Sequence, residues 1–128
     1  MPKVIVVDDE AIVLFDMVMT VEELGYEVVC DSTSVPQALR CLERETPDAA
    51  LLDIDVGGVM VWPVARRLID LGAGIVFVSA NHSHPELQDE FRHCGFIDKP
   101  ASTEQIERKL EQALAERASA KPAMVRVG

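Results

Sequence analysis

The sequence predicts an α/β domain built on a parallel sheet, and two observations carry that prediction. Short apolar runs alternate with longer segments of helical period, and those runs are β-branched-rich or wholly apolar, as buried parallel strands should be. A strand buried on both faces reads as a continuous apolar run rather than an alternating one. The first strand spans residues 4–7, the second lies around 27–30, the third covers 49–52 and the fourth 75–78. Phe96 and Ile97 start a short fifth.

The intervening segments repeat apolar residues at helical spacing. Leu14, Met17, Val18 and Val21 mark the first helix, Val35, Ala38, Leu39 and Leu42 the second, and Val61, Val64, Ala65 and Leu68 the third. The fourth is weaker, with Leu87, Phe91 and Cys94, and the fifth is clear, with Ile106, Leu110, Ala113 and Leu114. Gly25 and Gly95 are placed to end helices one and four. Residues 118–128 carry too little apolar periodicity for another element. The expected organisation is a domain over 1–118 and a short tail over 119–128, with no further domain.

The bulk properties narrow the function. A chain of 128 residues fits one domain, and 48% hydrophobic with 27% charged residues is the composition of a packed globular protein. The net charge of -10 repels nucleic-acid backbones and anionic membranes. The N-terminal apolar run is too short for a signal-peptide core or a membrane span, so a cytoplasmic location is expected. Cys30, Cys41 and Cys94 are odd in number and widely spaced, which predicts buried free thiols rather than a disulfide framework or zinc site. His82 and His84 form an HxH without a supporting His or Cys cluster. They are read as loop residues, with a weaker role in tuning access to the site described next.

Asp8 and Asp9 follow the first strand, Asp53 the third, Ser79 the fourth and Lys99 the fifth. The C-terminal strand ends of an open parallel sheet lie along one edge, so these residues should form one site. Three carboxylates brought together repel, and a hard divalent cation with a nearby ammonium relieves that repulsion. The set suits Mg²⁺ and a phosphoryl group, with Ser79 and Lys99 as donors to phosphate oxygens and an aspartate as nucleophile. Taken singly, Asp9 reads as a helix cap, Lys99 as a solvated lysine and Ser79 as a turn residue. Their joint placement favours the functional reading.

The VVDDE, LLDID, VSA and GFIDKP segments at these strand ends resemble the response-regulator receiver domains of bacterial two-component and phosphorelay signalling, over nearly the whole chain. The resemblance implies a flavodoxin-like (βα)5 fold with strand order 2-1-3-4-5. It implies that Asp53 is the phosphoacceptor, Asp9 a direct Mg²⁺ ligand, Asp8 a direct or water-mediated one, and Asp55 a ligand through its backbone carbonyl. Ser79 corresponds to the switching hydroxyl, Lys99 to the phosphate-pairing lysine and Phe96 to the aromatic that changes rotamer. Lys99-Pro100 suits a cis peptide bond. The donor would be a histidine kinase or histidine phosphotransferase, and helix four, strand five and helix five would bind a downstream protein or a second copy.

The chain departs from common receivers where it reads Asp53-Ile-Asp-Val-Gly-Gly-Val-Met-Val-Trp-Pro in place of a nearby Met-Pro. The extra acid Asp55 is expected to slow attack by water or small anionic donors. Ile12, Phe15 and Met19 form a second apolar row on helix one, read either as a docking surface for the phosphodonor or as a wider core face. Two rival functions stand beside the relay reading. Asp53-Ile54-Asp55 resembles the DxD of haloacid-dehalogenase-like phosphohydrolases, although that motif ends a first strand whereas Asp8 and Asp9 precede it here. A degenerate receiver that only binds proteins is the other.

Overall fold

The computed structural model describes residues 1–127 in backbone and 1–117 in side chain. In chain order the elements are β1 (Lys3–Val7), α1 (Ala11–Glu23), β2 (Glu27–Ser32), α2 (Val35–Cys41), β3 (Ala49–Leu52), β4 (Asp55–Val56), β5 (Val59–Met60), α3 (Trp62–Asp70), β6 (Gly74–Ser79), α4 (Pro85–Gln88), β7 (Gly95–Asp98) and α5 (Thr103–Val127). Five strands pair in parallel in the order β2-β1-β3-β6-β7. Counted along the chain, that is the 2-1-3-4-5 order of the flavodoxin-like fold. β4 and β5 form a separate antiparallel hairpin between β3 and α3.

The strands are apolar throughout because both faces of the sheet are covered. Val4, Val6, Leu51, Val76 and Val78 pack with Leu14, Met17 and Val21 of α1 and Ile106 and Leu110 of α5. Ile5, Val7, Leu52 and Phe77, pointing the other way by the two-residue period of a strand, pack with Val35 and Ala38 of α2 and Val64 and Leu68 of α3. A Cβ on Gly74 would sit 2.7 Å from the Ala113 carbonyl oxygen, so α5 lies directly on β6 only because that position has no side chain. At the N-terminal edge of the sheet, Arg117 donates to the Gly72 carbonyl at 2.8 Å and pairs with Asp48 at 3.0 Å.

Three details differ from the sequence expectation. The fourth helix is a single turn: Asp89 leaves the helical region at φ -117°, ψ -91°, and the Phe91 amide reaches Glu86 O, five residues back. Phe91 is nevertheless 1% exposed and stacks on Trp62, so its apolar spacing reports burial rather than helix. Gly25 does follow α1 with φ +96°, but Gly95 begins β7 and has no positive φ. Cys30 of β2 and Cys41 of α2 are joined as a disulfide across 11 residues rather than lying as free thiols. Cys94 alone is free, its thiol pushed up to about 12 by burial and by Glu116.

The backbone of α5 continues to Val127, past the point where apolar periodicity ends. Continuing a formed helix needs no apolar face, although Pro122 within this stretch has no N–H to give to the helical ladder. Gly128 lies outside the described residues. Among the described residues no helix is long and apolar enough to cross a membrane.

Candidate functional site

β1, β3, β6 and β7 are consecutive in the sheet, and their C-terminal ends bring Asp8, Asp53, Ser79 and Lys99 to one edge. Asp53 is set by its own amide, which donates to Val7 O at 2.9 Å, and Lys99 by its amide, which donates to Ser79 O at 3.1 Å. Asp8 is fully buried and Asp53 is 6% exposed. Lys99 Nζ donates to Asp53 Oδ2 at 3.2 Å and lies 2.9 Å from Asp8 Oδ2 and 4.0 Å from Glu10 Oε1. Asp8 Oδ2 is thus a fully buried carboxylate oxygen whose partner is the Lys99 ammonium.

Burial pushes the Asp53 carboxyl up to about 6, and the negative charge of Asp8 adds to the rise. Lys99 and the Ile54 amide pull the other way. Burial works to lower the Lys99 pKa, but the adjacent carboxylates of Asp8 and Asp53 outweigh it and the net shift is upward. One ammonium therefore serves two buried acids, and the site remains short of positive charge.

Each acid is also tied to a backbone amide. Asp8 Oδ1 accepts from the Glu10 amide at 2.9 Å and Asp53 Oδ1 from the Ile54 amide at 2.8 Å. Asp9 is exposed, and its Oδ2 accepts from the Gly57 amide of the hairpin at 3.0 Å. Gly57 and Gly58 have φ of +65° and +83°, the conformation of a two-residue type I′ hairpin turn. The Gly58 amide donates to Asp55 Oδ1 at 2.9 Å, so the Asp55 carboxylate is engaged by the turn. Sequence reasoning missed these amides, although Gly57-Gly58 between valines is a recognisable hairpin signal.

Residues 4–111 match the family described as response regulator receiver domain. The chain belongs to that family. Similar solved structures include the signal receiver domain of a modulated diguanylate cyclase from Desulfovibrio desulfuricans G20, at 26% identity and TM-score 0.81, covering 92% of this chain and 97% of that one. A response regulator receiver protein from Sinorhizobium medicae WSM419 matches at 25% identity and TM-score 0.80, covering 91% and 96%. The response regulator PhyR from Brucella abortus matches at 25% identity and TM-score 0.80 over 99% of this chain, which spans about half of PhyR, 53%. No curated protein matches significantly.

Receivers bind Mg²⁺ at an acidic pocket, and the residues of this one fit such an ion. One oxygen from each of Asp8, Asp9 and Asp53 lies within 4.8 Å of the others, and three carboxylates with a single ammonium among them are an oxygen-donor set suited to a hard divalent cation. The other residues singled out from the sequence are distributed around this centre. Ser79 Oγ is engaged with Asn81, donating to its carbonyl at 3.1 Å and accepting from its amide at 3.2 Å. Phe96 is half-buried against the α2/α3 core, with the His82 ring 5.3 Å away, and His82 Nε2 lies 3.6 Å from Asp98 Oδ1. The His84 ring meets Trp62 edge-on at 5.8 Å. The Lys99-Pro100 bond is cis. Ile12, Phe15 and Met19 are 85%, 66% and 43% exposed, so the second row on α1 is not a wider core face.

Proposed function

We propose that this receiver accepts a phosphoryl group on Asp53 from a phosphohistidine of a histidine kinase or histidine phosphotransferase and relays the signal through protein contacts. The observation that carries the reading is the Asp53–Lys99 contact at 3.2 Å inside a three-acid set suited to a divalent cation. An Asp53 carboxylate oxygen attacks phosphorus, the O–P bond forms as the N–P bond breaks, and the electron pair returns to the imidazole nitrogen, which takes up a proton. Asp53, with its carboxyl near 6 in the free chain, is mostly ionised at neutral pH and able to attack.

Asp8, Asp9 and Asp53, with the backbone carbonyl of Asp55, would hold Mg²⁺, which supplies charge neutralisation to the phosphoryl oxygens. Lys99 passes from its acids to the phosphate. Ser79 leaves Asn81 to donate to the same group, and Phe96 moves inward away from His82 as it does so. The Asp55 charge slows attack by water. Chemistry is confined to the receiver's own modification, and the location is cytoplasmic. The face of α4, β7 and α5 meets a downstream protein or a second copy.

Incubation with Mg²⁺ and a cognate phosphorylated donor should give one labile adduct of phosphoryl mass in the intact-protein spectrum. Asp53→Ala should abolish it, and an adduct that survives that substitution would overturn the assignment. The exposed row of α1 starts beside the site, at the edge a donor helical bundle must approach, and we assign it to donor docking. Phe15→Glu should keep the far-UV circular dichroism and thermal midpoint while slowing transfer from the protein donor roughly tenfold. An unchanged transfer rate in a folded variant counts against docking.

A further inference from the structure

The hairpin's bond to Asp9 points to a role for the turn that the acids alone do not reveal. Asp8 and Asp53 are buried and held by amides one or two residues away. Asp9 has neither advantage: it is exposed, and its side-chain bond reaches an amide 48 residues along the chain. We infer that the Gly57 amide is a positioning group for the divalent cation, holding the Asp9 carboxylate in the rotamer that completes the three-acid set. The inference rests on the reading that Asp8, Asp9 and Asp53 hold that cation.

The turn is built to present this amide. Positive φ at both Gly57 and Gly58 aims consecutive N–H groups outward, and each meets a carboxylate, Asp9 for the first and Asp55 for the second. Val56, 2% exposed, and the Val56–Val59 pairing anchor the hairpin to the α2/α3 core, so the amide is held by packed structure. With Oδ2 of Asp9 taken by Gly57, Oδ1 is left for the ion. An exposed aspartate would otherwise sample several rotamers, and a donor that selects one raises affinity by removing that search.

The test is Mg²⁺ affinity of the full chain by calorimetry, confirmed by counting free Mn²⁺ by electron paramagnetic resonance. There is open space around Gly57, so a side chain there meets no wall, and what it loses is the left-handed turn. Gly57→Val, which cannot adopt φ +65° without strain, should weaken binding roughly tenfold. Gly57→Asn tolerates the turn and keeps the amide, and should stay within about twofold of wild type. Equal affinity in Gly57→Val and wild type overturns the inference alone, whereas a wild-type chain that binds no divalent cation overturns it together with the cation reading. Should Gly57→Val fail to fold, the wild-type Gly57 amide decides by NMR. It must shift with the same midpoint as Mg²⁺ binding and remain slow to exchange; loss of its protection on binding overturns the inference.

Discussion

Lys99→Ala is expected to slow phosphoryl transfer to Asp53 about 100- to 1,000-fold, the loss typical when a fixed donor to the transferring charge is removed. The rate of labelled phosphoryl incorporation at fixed donor and Mg²⁺ measures it. Two separable effects contribute. The transition state loses the ammonium that pairs with its oxygens. Asp53 and Asp8 also lose their shared counter-charge, and the Asp53 carboxyl, already raised by burial and by Asp8, moves higher still, so less of it is ionised at neutral pH. The second effect is relieved by raising the pH and the first is not. A rate profile that recovers only part of the loss between pH 6 and 9 is the expected signature, and a wild-type rate in the folded variant would remove Lys99 from the reaction.

Asp53→Asn should stabilise the chelator-treated chain at pH 8 by about 1–3 kcal/mol and leave it nearly unchanged at pH 4. The sign follows from the raised carboxyl. Between the ordinary aspartate value of 3.8 and the folded value of about 6, the native state binds more protons than the unfolded state, so stability falls as pH rises through that window. Above it Asp53 is held ionised in a buried site beside Asp8, at a cost that asparagine does not incur. Urea melts at several pH values in the presence of EDTA give the difference directly. A variant no more stable than wild type at pH 8 would mean that Lys99 compensates both acids in full.

The parallel sheet was legible because burial on both faces leaves its mark one residue at a time: residues 49–52 are apolar in sequence and fully buried in the structure. The convergence of Asp8, Asp53, Ser79 and Lys99 followed from their shared place just after the strands of a parallel sheet, whose C-terminal ends lie along one edge. What escaped the sequence depends on groups that every residue possesses. The amides of Glu10, Ile54 and Gly57 hold the three acids, and a backbone N–H has no letter in the sequence. The short α4 escaped for a related reason. Phe91 lies at helical distance from Leu87 and Cys94, but Trp62, Phe77 and a wide turn bury it without a helix. The Cys30–Cys41 pairing was hidden because two cysteines 11 residues apart reveal nothing of how α2 folds back on β2.

The chain has a single tryptophan, and its place gives the molecule a built-in optical probe. Trp62 stands where the hairpin becomes α3, stacked on Phe91 at 5.3 Å and touched by the His84 ring from the loop after β6. Its emission therefore comes from one environment bounded by the segment that holds Asp9 on one side and the segment that follows Ser79 on the other. A change at either end of the site can be watched through the ultraviolet fluorescence of the unlabelled protein.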